Sequence, residues 1–168
     1  MAKVETTCTE GINCAKDHLR PFRKCTHVSG GFRACTTFFE QQNEKSAIYR
    51  RVGGSWVEAA GPPRGRHGWW RRVVAAGNRR TLLAQWSGEC EIQTTYLVSV
   101  ADGTARSILE GLPSTAVGWA SDGRARVRLP ADLWGMKAKR IFRAGIYRVD
   151  PVTLAVTLER AIPTGPAC

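Results

Sequence analysis

Long apolar runs are missing from this chain of 168 residues. No run approaches the roughly 18 residues that a membrane-spanning helix requires, so the sequence predicts no transmembrane segment. The first ten residues, Met1 to Glu10, are polar, and we therefore expect no secretion signal peptide in this sequence. Hydrophobic residues still make up 43% of the chain and charged residues 23%. This balance excludes wholesale disorder and predicts a folded domain.

Acidic residues are scarce. Fourteen Asp and Glu stand against 25 Lys and Arg, which gives a net charge of +11 and a pI near 10.0. Such a surface attracts nucleic acid, anionic lipid or acidic proteins. Lysine is scarce as well, because six of the basic residues are Lys and the other 19 are Arg. Since Arg occurs in every segment, a compositional bias without a dedicated binding face remains the alternative interpretation.

Sequence motifs of catalysis are also missing. The chain has no Gly-x-Ser-x-Gly elbow, no His-Glu-x-x-His helix and no phosphate-binding Gly-Lys-Ser/Thr loop. Glu89 and Glu91 flank Cys90, and on a strand both carboxylates would share one face. They either bind a cation or balance nearby arginines. The histidines show no triad pattern; they are His18, His27 and His67. We expect a non-enzymatic protein without cofactor or metal site.

The cysteines are concentrated near the two ends of the chain. Their even number suggests disulfide pairing, with 15 connectivities open. Zinc is a weaker alternative because the short Cys-x2-4-Cys spacing of structural zinc sites is missing, and free thiols are a third. Disulfides indicate an extracytoplasmic or secreted protein. The candidate residues are Cys8, Cys14, Cys25, Cys35, Cys90 and Cys168.

The three tyrosines mark an internal repeat. Tyr49, Tyr96 and Tyr147 are 47 and 51 residues apart. Each lies in a run of alternating apolar and polar residues, followed by a turn and a second extended run, as expected of half-buried strands. A Gly-containing turn and an apolar strand also precede each tyrosine. Aligning the turns at Gly31, Asn78 and Gly123 gives steps of 47 and 45 residues.

This period predicts three tandem units, each a four-stranded antiparallel sheet. We place them at about 26–68, 69–115 and 116–160, within a β domain over 26–168 that follows a cysteine-containing segment over 1–25. Four strands every 45 residues or so is the period of a β-propeller blade. The predicted class is all-β, with another antiparallel fold as the alternative. One short helical turn is expected over 131–140.

Two short motifs in the third unit carry a family resemblance. Residues 118–124 read Gly-Trp-Ala-Ser-Asp-Gly-Arg, and residues 146–150 read Ile-Tyr-Arg-Val-Asp. They resemble the W-S-x-D-G-[KR] and [IL]-Y-x-x-D motifs of TolB-type β-propeller repeats, and the resemblance extends over about 26–160. It implies a protein-interaction platform of the bacterial envelope, although some relatives are enzymes.

Three blades are too few to close a propeller ring, which needs at least four. The chain is then a partial propeller that is a piece of a longer chain, that gains part of another blade from residues 1–25, or that is completed by self-association. Six blades from two chains is the preferred hypothesis. An open stack would expose the broad faces of its two end blades.

Loops on a rigid scaffold commonly carry function, and two regions stand out. The first is an Arg-, Gly- and Trp-rich connection between units one and two. The second comprises the inner loops of units two and three, where Met136 and Arg140 accompany Trp and Lys. The candidate binding residues are Arg64, Arg66, His67, Trp69, Trp70, Arg71, Arg72, Trp86, Trp134, Lys137 and Lys139.

These residues suggest a binding or assembly module that presents a cationic, Trp-containing loop rim to a protein partner. One alternative is a nucleic-acid-binding protein that uses Arg64–Arg72, with Trp69 and Trp70 stacking on bases. Another is a fragment of a propeller-containing hydrolase. Against all three stands the plain interpretation that the Trp side chains pack in the core and the Arg side chains are solvated.

Overall fold

The computed structural model describes residues 22–26, 28–38, 44–88 and 92–165. Within these ranges the chain forms strands and one 3-10 turn, and no helix there is long and apolar enough to span a membrane. Twelve strands build three four-stranded antiparallel sheets in tandem, and two form a separate hairpin. The all-β class with three tandem four-stranded antiparallel sheets is therefore confirmed.

The first sheet is a simple up-and-down meander. Its strands are β1 (Phe22–Cys25), β2 (Phe32–Phe38), β3 (Glu44–Val52) and β4 (Ser55–Ala60), paired in that order. The β3–β4 hairpin turns at Gly53, whose φ of +60° suits a residue without a Cβ. Strand β1 lies in the segment 1–25, so the sheet begins four residues before the predicted boundary at residue 26.

The second sheet lies between the other two, and its amino-acid composition reflects burial on both faces. Its strands are β5 (Trp69–Ala75), β6 (Thr81–Ser87), β7 (Gln93–Ser99) and β8 (Ala105–Ser107). Leu82, Leu83 and Ala84 are all fully buried although neighbouring side chains in a strand point to opposite faces. A strand buried on both faces reads as a continuous apolar run, as β6 does.

The third sheet contains an insertion. Its strands are β9 (Thr115–Trp119), β10 (Ala125–Leu129), β13 (Gly145–Val149) and β14 (Val156–Ala161). Between β10 and β13 the chain forms the hairpin of β11 (Leu133–Gly135) and β12 (Arg140–Phe142). The helical turn expected over 131–140 is wrong, because alternation places Leu133 and Phe142 inward and Trp134 outward, which is a strand pattern.

Two hydrophobic cores join the three sheets. The first contains side chains of the first and second sheets, including Phe32, Ile48 and Trp70. The second contains side chains of the second and third sheets, including Leu97 and Val127. Hydrogen bonds cross both junctions: the Trp70 backbone N–H donates to Ser46 Oγ at 2.8 Å, and the Trp119 indole N–H donates to the Val74 carbonyl at 3.1 Å. The sheets therefore stack face to face in chain order.

The turns predicted from Asn and Asp are stabilised by their own side chains. The carboxylates of Asp102, Asp122 and Asp150 each accept a hydrogen bond from the backbone N–H two residues later, at 2.8–3.1 Å. Asn78 accepts the equivalent bond from Arg80 at 2.9 Å. Such Asx turns hold the hairpin ends of the sheets. All four lie at the same end of the stack, opposite the loops described below.

One disulfide lies within the described residues. Cys25 and Cys35 face each other on β1 and β2, with their Cα atoms 4.0 Å apart. This pairing confirms disulfide formation for two of the six candidates. Cys8, Cys14, Cys90 and Cys168 lie outside the described residues.

Candidate binding surface

Connections from all three sheets meet at one end of the stack, which we call the hairpin rim. It comprises residues 61–68, 88, 92, 108–114 and 130–144. The segments contact one another in sequence: Gly68 lies against the Ser87 carbonyl, and the Arg66 guanidinium lies beside Gly111. The Ser114 N–H donates to the Gln93 carbonyl at 2.8 Å, and Glu110 bonds the β11–β12 hairpin. The topology therefore places the candidate loops on one continuous surface.

Two of the candidate tryptophans, Trp70 and Trp86, are buried in the first hydrophobic core. Trp70 is 1% exposed and Trp86 is 2% exposed, and their rings meet edge to face at 5.0 Å. The Trp70 indole N–H donates to the Gly61 carbonyl at 3.0 Å, and that of Trp86 donates to the His67 carbonyl at 3.3 Å. Trp69 is half-buried. The plain interpretation therefore holds for Trp70 and Trp86, which cannot stack on a base.

The charged residues of this connection are solvent-exposed. Arg64, Arg66 and His67 are exposed in the loop before β5. Arg71 is the extra residue of a β-bulge, because Trp70 pairs with Trp86 and Arg72 pairs with Gln85. Arg72 donates to the Ala116 carbonyl at 3.0 Å and so joins the second sheet to the third. The segment thus exposes its cations, and of its two tryptophans Trp70 is buried whereas Trp69 is half-buried.

The β11–β12 hairpin presents one apolar face to solvent. Trp134 and Ile141 are directly opposite each other and are 57% and 62% exposed, and Met136 at the tip is 81% exposed. The other face is buried: Gly135 packs so closely on Phe142 that any Cβ there would collide with the ring. The hairpin is therefore anchored through one face and free on the other.

Glu110 fixes the hairpin to the connection between the second and third sheets. Its two carboxylate oxygens accept hydrogen bonds from the backbone N–H groups of Lys137 at 2.9 Å and Ala138 at 2.6 Å. Leu109, Glu110 and Lys139 all adopt left-handed backbone conformations, with φ of +50° to +59°. Such conformations cost roughly 1 kcal/mol or more for residues with a Cβ, and they persist where the surroundings impose them.

The cations around the exposed pair have no counter-ions among the described residues. Lys137, Lys139 and Arg140 are exposed, and no carboxylate of the described residues forms an ion pair with them. The two acidic side chains of this part of the rim accept hydrogen bonds from backbone N–H groups instead. Glu110 holds the hairpin, and Asp132 accepts a bond from the Ala144 N–H at 2.7 Å. The local field is therefore positive.

A cavity of about 690 Å³ lies behind the hairpin, between the outer strand of the second sheet and the third sheet. Apolar side chains form its floor, including Leu109, Phe142 and Val156, and the cations of Lys137 and Arg140 border it. It could accept an apolar side chain from a partner that covers the hairpin.

Sequence reasoning found part of this surface. It singled out Trp134, Lys137 and Lys139, which the fold brings together with Met136 and Arg140. It missed Ile141 and Glu110. The signal for Ile141 was the alternation Arg140–Ile141–Phe142, which mirrors Leu133–Trp134–Gly135 across a four-residue turn. No local signal marks Glu110, because its partners are 27 and 28 residues away.

The acidic, His and Cys side chains of the described residues are scattered. In the ranges that the structure describes, no three of them come close enough to hold a metal ion. His67 is exposed on the rim. His18, His27, Glu89 and Glu91 lie outside those ranges.

The chain matches no family model, no curated protein and no solved structure. The resemblance to TolB-type repeats therefore stays a prediction from the sequence.

Proposed function

We propose that the protein is a non-enzymatic binding module and that its hairpin rim binds an acidic segment of a protein partner. One observation carries this proposal. The exposed Trp134–Ile141 pair is surrounded by Lys137, Lys139 and Arg140, whose charges are not neutralised by the described residues. An apolar anchor within a ring of unpaired cations suits a segment in which Asp or Glu flanks a large apolar residue.

The energetics favour such a partner. Burying one large apolar side chain contributes about 1.5–3 kcal/mol, and Trp and Arg are enriched among the residues that dominate binding energy at interfaces. The unpaired cations add charge complementarity, which speeds association and suppresses cationic competitors. Because Glu110 and the buried Gly135–Phe142 contact hold the hairpin, little ordering cost accompanies binding.

The proposal includes an oxidising compartment. The Cys25–Cys35 disulfide supports an extracytoplasmic or secreted location, since structural disulfides are rare in the cytosol. Completion of a ring by a second chain stays a prediction. Sedimentation at several concentrations measures it directly.

Selection from a random 12-residue peptide library tests the proposed function. We expect wild-type protein to enrich peptides that combine Asp or Glu with a large apolar residue. Trp134→Ser and Ile141→Ser should each weaken the enriched peptides about tenfold or more. Val152→Ser is the matched control, because Val152 is 77% exposed but lies at the opposite end of the stack. Peptides of no common chemistry, or equal loss in all three variants, would refute the proposal.

A further inference from the structure

The face of the first sheet that points away from the second sheet carries an arginine–aromatic array, which we call the arginine face. Strand alternation places Arg23 of β1, Arg33 of β2 and Arg51 of β3 on this face, with Tyr49, Trp56 and one acid, Glu58, which forms no ion pair with a described residue. Arg33 pairs with Tyr49, and Arg51 pairs with Trp56. The side chains of Phe32 and Ile48 point the other way, into the first core.

Two of the guanidinium groups lie over aromatic rings. The guanidinium carbon of Arg23 is 4.5 Å from the centre of the Tyr49 ring, and that of Arg33 is 4.1 Å from the centre of the Trp56 ring. Such cation–π contacts hold the guanidinium planes in place while leaving N–H groups at their edges. The entropy cost of ordering two long side chains for a ligand is therefore reduced before binding.

These guanidinium groups lack anionic partners. No carboxylate of the described residues lies within 4.0 Å of Arg23, Arg33 or Arg51. The Nε of Arg33 is shielded from solvent and has no hydrogen-bond partner in the described part of the chain. A desolvated donor without an acceptor is unfavourable, and an anion at the same guanidinium group would offset that cost.

The opposite end of the stack provides an internal comparison. The outer face of the third sheet also carries arginines, namely Arg126, Arg128, Arg148 and Arg160. There, Glu159 accepts bonds from Arg126 at 3.0 Å and from Arg148 at 3.2 Å, and Asp122 pairs with Arg148 at 3.1 Å. No aromatic contact of an arginine is found on that face among the described residues. Two arginines of that end face are paired with its own acids, whereas no arginine of the arginine face forms an ion pair with a described residue.

We propose that the arginine face binds a phosphodiester chain. Guanidinium groups bind phosphate through two parallel hydrogen bonds, and three of them on successive strands suit a linear polyanion better than a single anion. The outer planes of the ring-bound guanidinium groups can also stack on bases. An acidic peptide would use the charges but not these planes. This site is separate from the hairpin rim and does not depend on its proposed function.

Fluorescence anisotropy with three labelled probes of matched charge tests this proposal. The probes are a ten-residue oligo(dT), an abasic deoxyribose phosphate chain of the same length, and poly-glutamate. We expect both phosphodiester probes to bind and poly-glutamate to bind at least about tenfold more weakly. For three phosphate contacts, log K should fall with log salt with a slope of about −2. Tighter binding of oligo(dT) than of the abasic chain identifies nucleic acid as the source of the phosphates, and equal binding identifies the backbone alone.

Variants of equal net charge locate the site. The triple variant Arg23→Ser, Arg33→Ser, Arg51→Ser should lose at least about tenfold in affinity, with a salt slope near zero. The control triple Arg80→Ser, Arg128→Ser, Arg160→Ser removes three exposed arginines without ion pairs in the described residues, and it should bind nearly as wild type does.

One further variant tests the role of the aromatic ring without changing the net charge. Trp56→Leu keeps every charge but removes the ring beneath Arg33, so it should weaken oligo(dT) binding severalfold with an unchanged unfolding midpoint. Equal weakening by the two triple variants would overturn the proposal. Poly-glutamate binding as tight as oligo(dT) would do the same, as would the absence of binding by either phosphodiester probe.

Discussion

Tyr96 and Tyr147 occupy the same position in successive sheets. Each lies in the third strand of its sheet, each is 4% exposed, and each packs into the core shared with the preceding sheet. Tyr49 holds the same position in the first sheet, where no described sheet precedes it, and its ring is covered by Arg23. The repeat is therefore structural, and the first sheet substitutes a guanidinium group where the others have a neighbouring sheet.

The buried and exposed tryptophans should differ sharply in their contribution to stability. Trp70→Ala removes a fully buried ring that contacts Trp86 and Tyr96, so the free energy of unfolding should fall by about 3–5 kcal/mol. Trp134→Ala is the matched control and should change it by no more than about 0.5 kcal/mol. Denaturant unfolding measures both. Similar losses in the two variants would mean that the Trp134 side chain packs against the body of the protein.

Backbone conformation should limit substitution at Gly68. Its φ is +132°, and a Cβ would collide with the Ser87 carbonyl. Gly68→Ala should therefore cost about 1–3 kcal/mol or more in the free energy of unfolding. At Gly77, by contrast, a Cβ meets no atom within 4 Å, and Gly77→Ala should be nearly neutral. Thermal unfolding of the two variants measures this difference. A Gly68→Ala variant as stable as the wild type would show that residue 68 does not lie against the Ser87 carbonyl.

The charged outer face of the third sheet should make stability depend on acid. Hydrogen bonds from Arg126 lower the pKa of Glu159, with a further contribution from Arg148. The backbone N–H of Arg124 and the charge of Arg148 lower the pKa of Asp122. Because these values are lower in the folded state, the unfolded chain binds more protons in acid. The stabilisation is therefore complete above about pH 4–5 and is lost as the pH falls toward 2.

Unfolding measured at several pH values checks this dependence. In the Glu159→Gln variant, the free energy of unfolding should fall less steeply as the pH is lowered. Glu58→Gln, at an exposed carboxylate without an ion pair in the described residues, should leave it unchanged. Identical curves for the wild type and Glu159→Gln would contradict the assignment.

The disulfide should stabilise the edge of the first sheet. It joins residues 10 apart in sequence. In the chain-entropy description, removing the cross-link that closes such a loop lowers the free energy of unfolding by about 2–3 kcal/mol. The double variant Cys25→Ser, Cys35→Ser should lose about this much under oxidising conditions. Peptide mapping of unreduced wild-type protein should recover the 25–35 pair, and a different partner for either cysteine would contradict the fold of β1.

The strands were predictable because they depend on local pattern. Alternation around Tyr49, Tyr96 and Tyr147, together with Gly, Asn and Asp at the turns, places most of the twelve sheet strands within a few residues. The hairpin was not predictable in the same way. Its strands have three residues each, too short for a clear period, and its inward position at Gly135 is defined by contact with Phe142.

Which tryptophans are exposed could not be predicted from the sequence. Trp69 and Trp70 follow an Arg- and Gly-rich loop, so they look like part of it, yet β5 begins at Trp69 and directs Trp70 inward. The difference between the two end faces was also hidden, because the arginines of both look alike in sequence. The partners that distinguish them, Glu159 and Trp56, become neighbours only when the strands pair.

Iodide quenching of tryptophan fluorescence tests most directly whether the hairpin presents an exposed indole in a positive field. Of the six tryptophans, only Trp134 is classed as exposed. Iodide, attracted by Lys137, Lys139 and Arg140, should quench wild-type protein more strongly than caesium does, and Trp134→Phe should remove most of that difference. Quenching curves that are the same for wild type and Trp134→Phe would contradict the account.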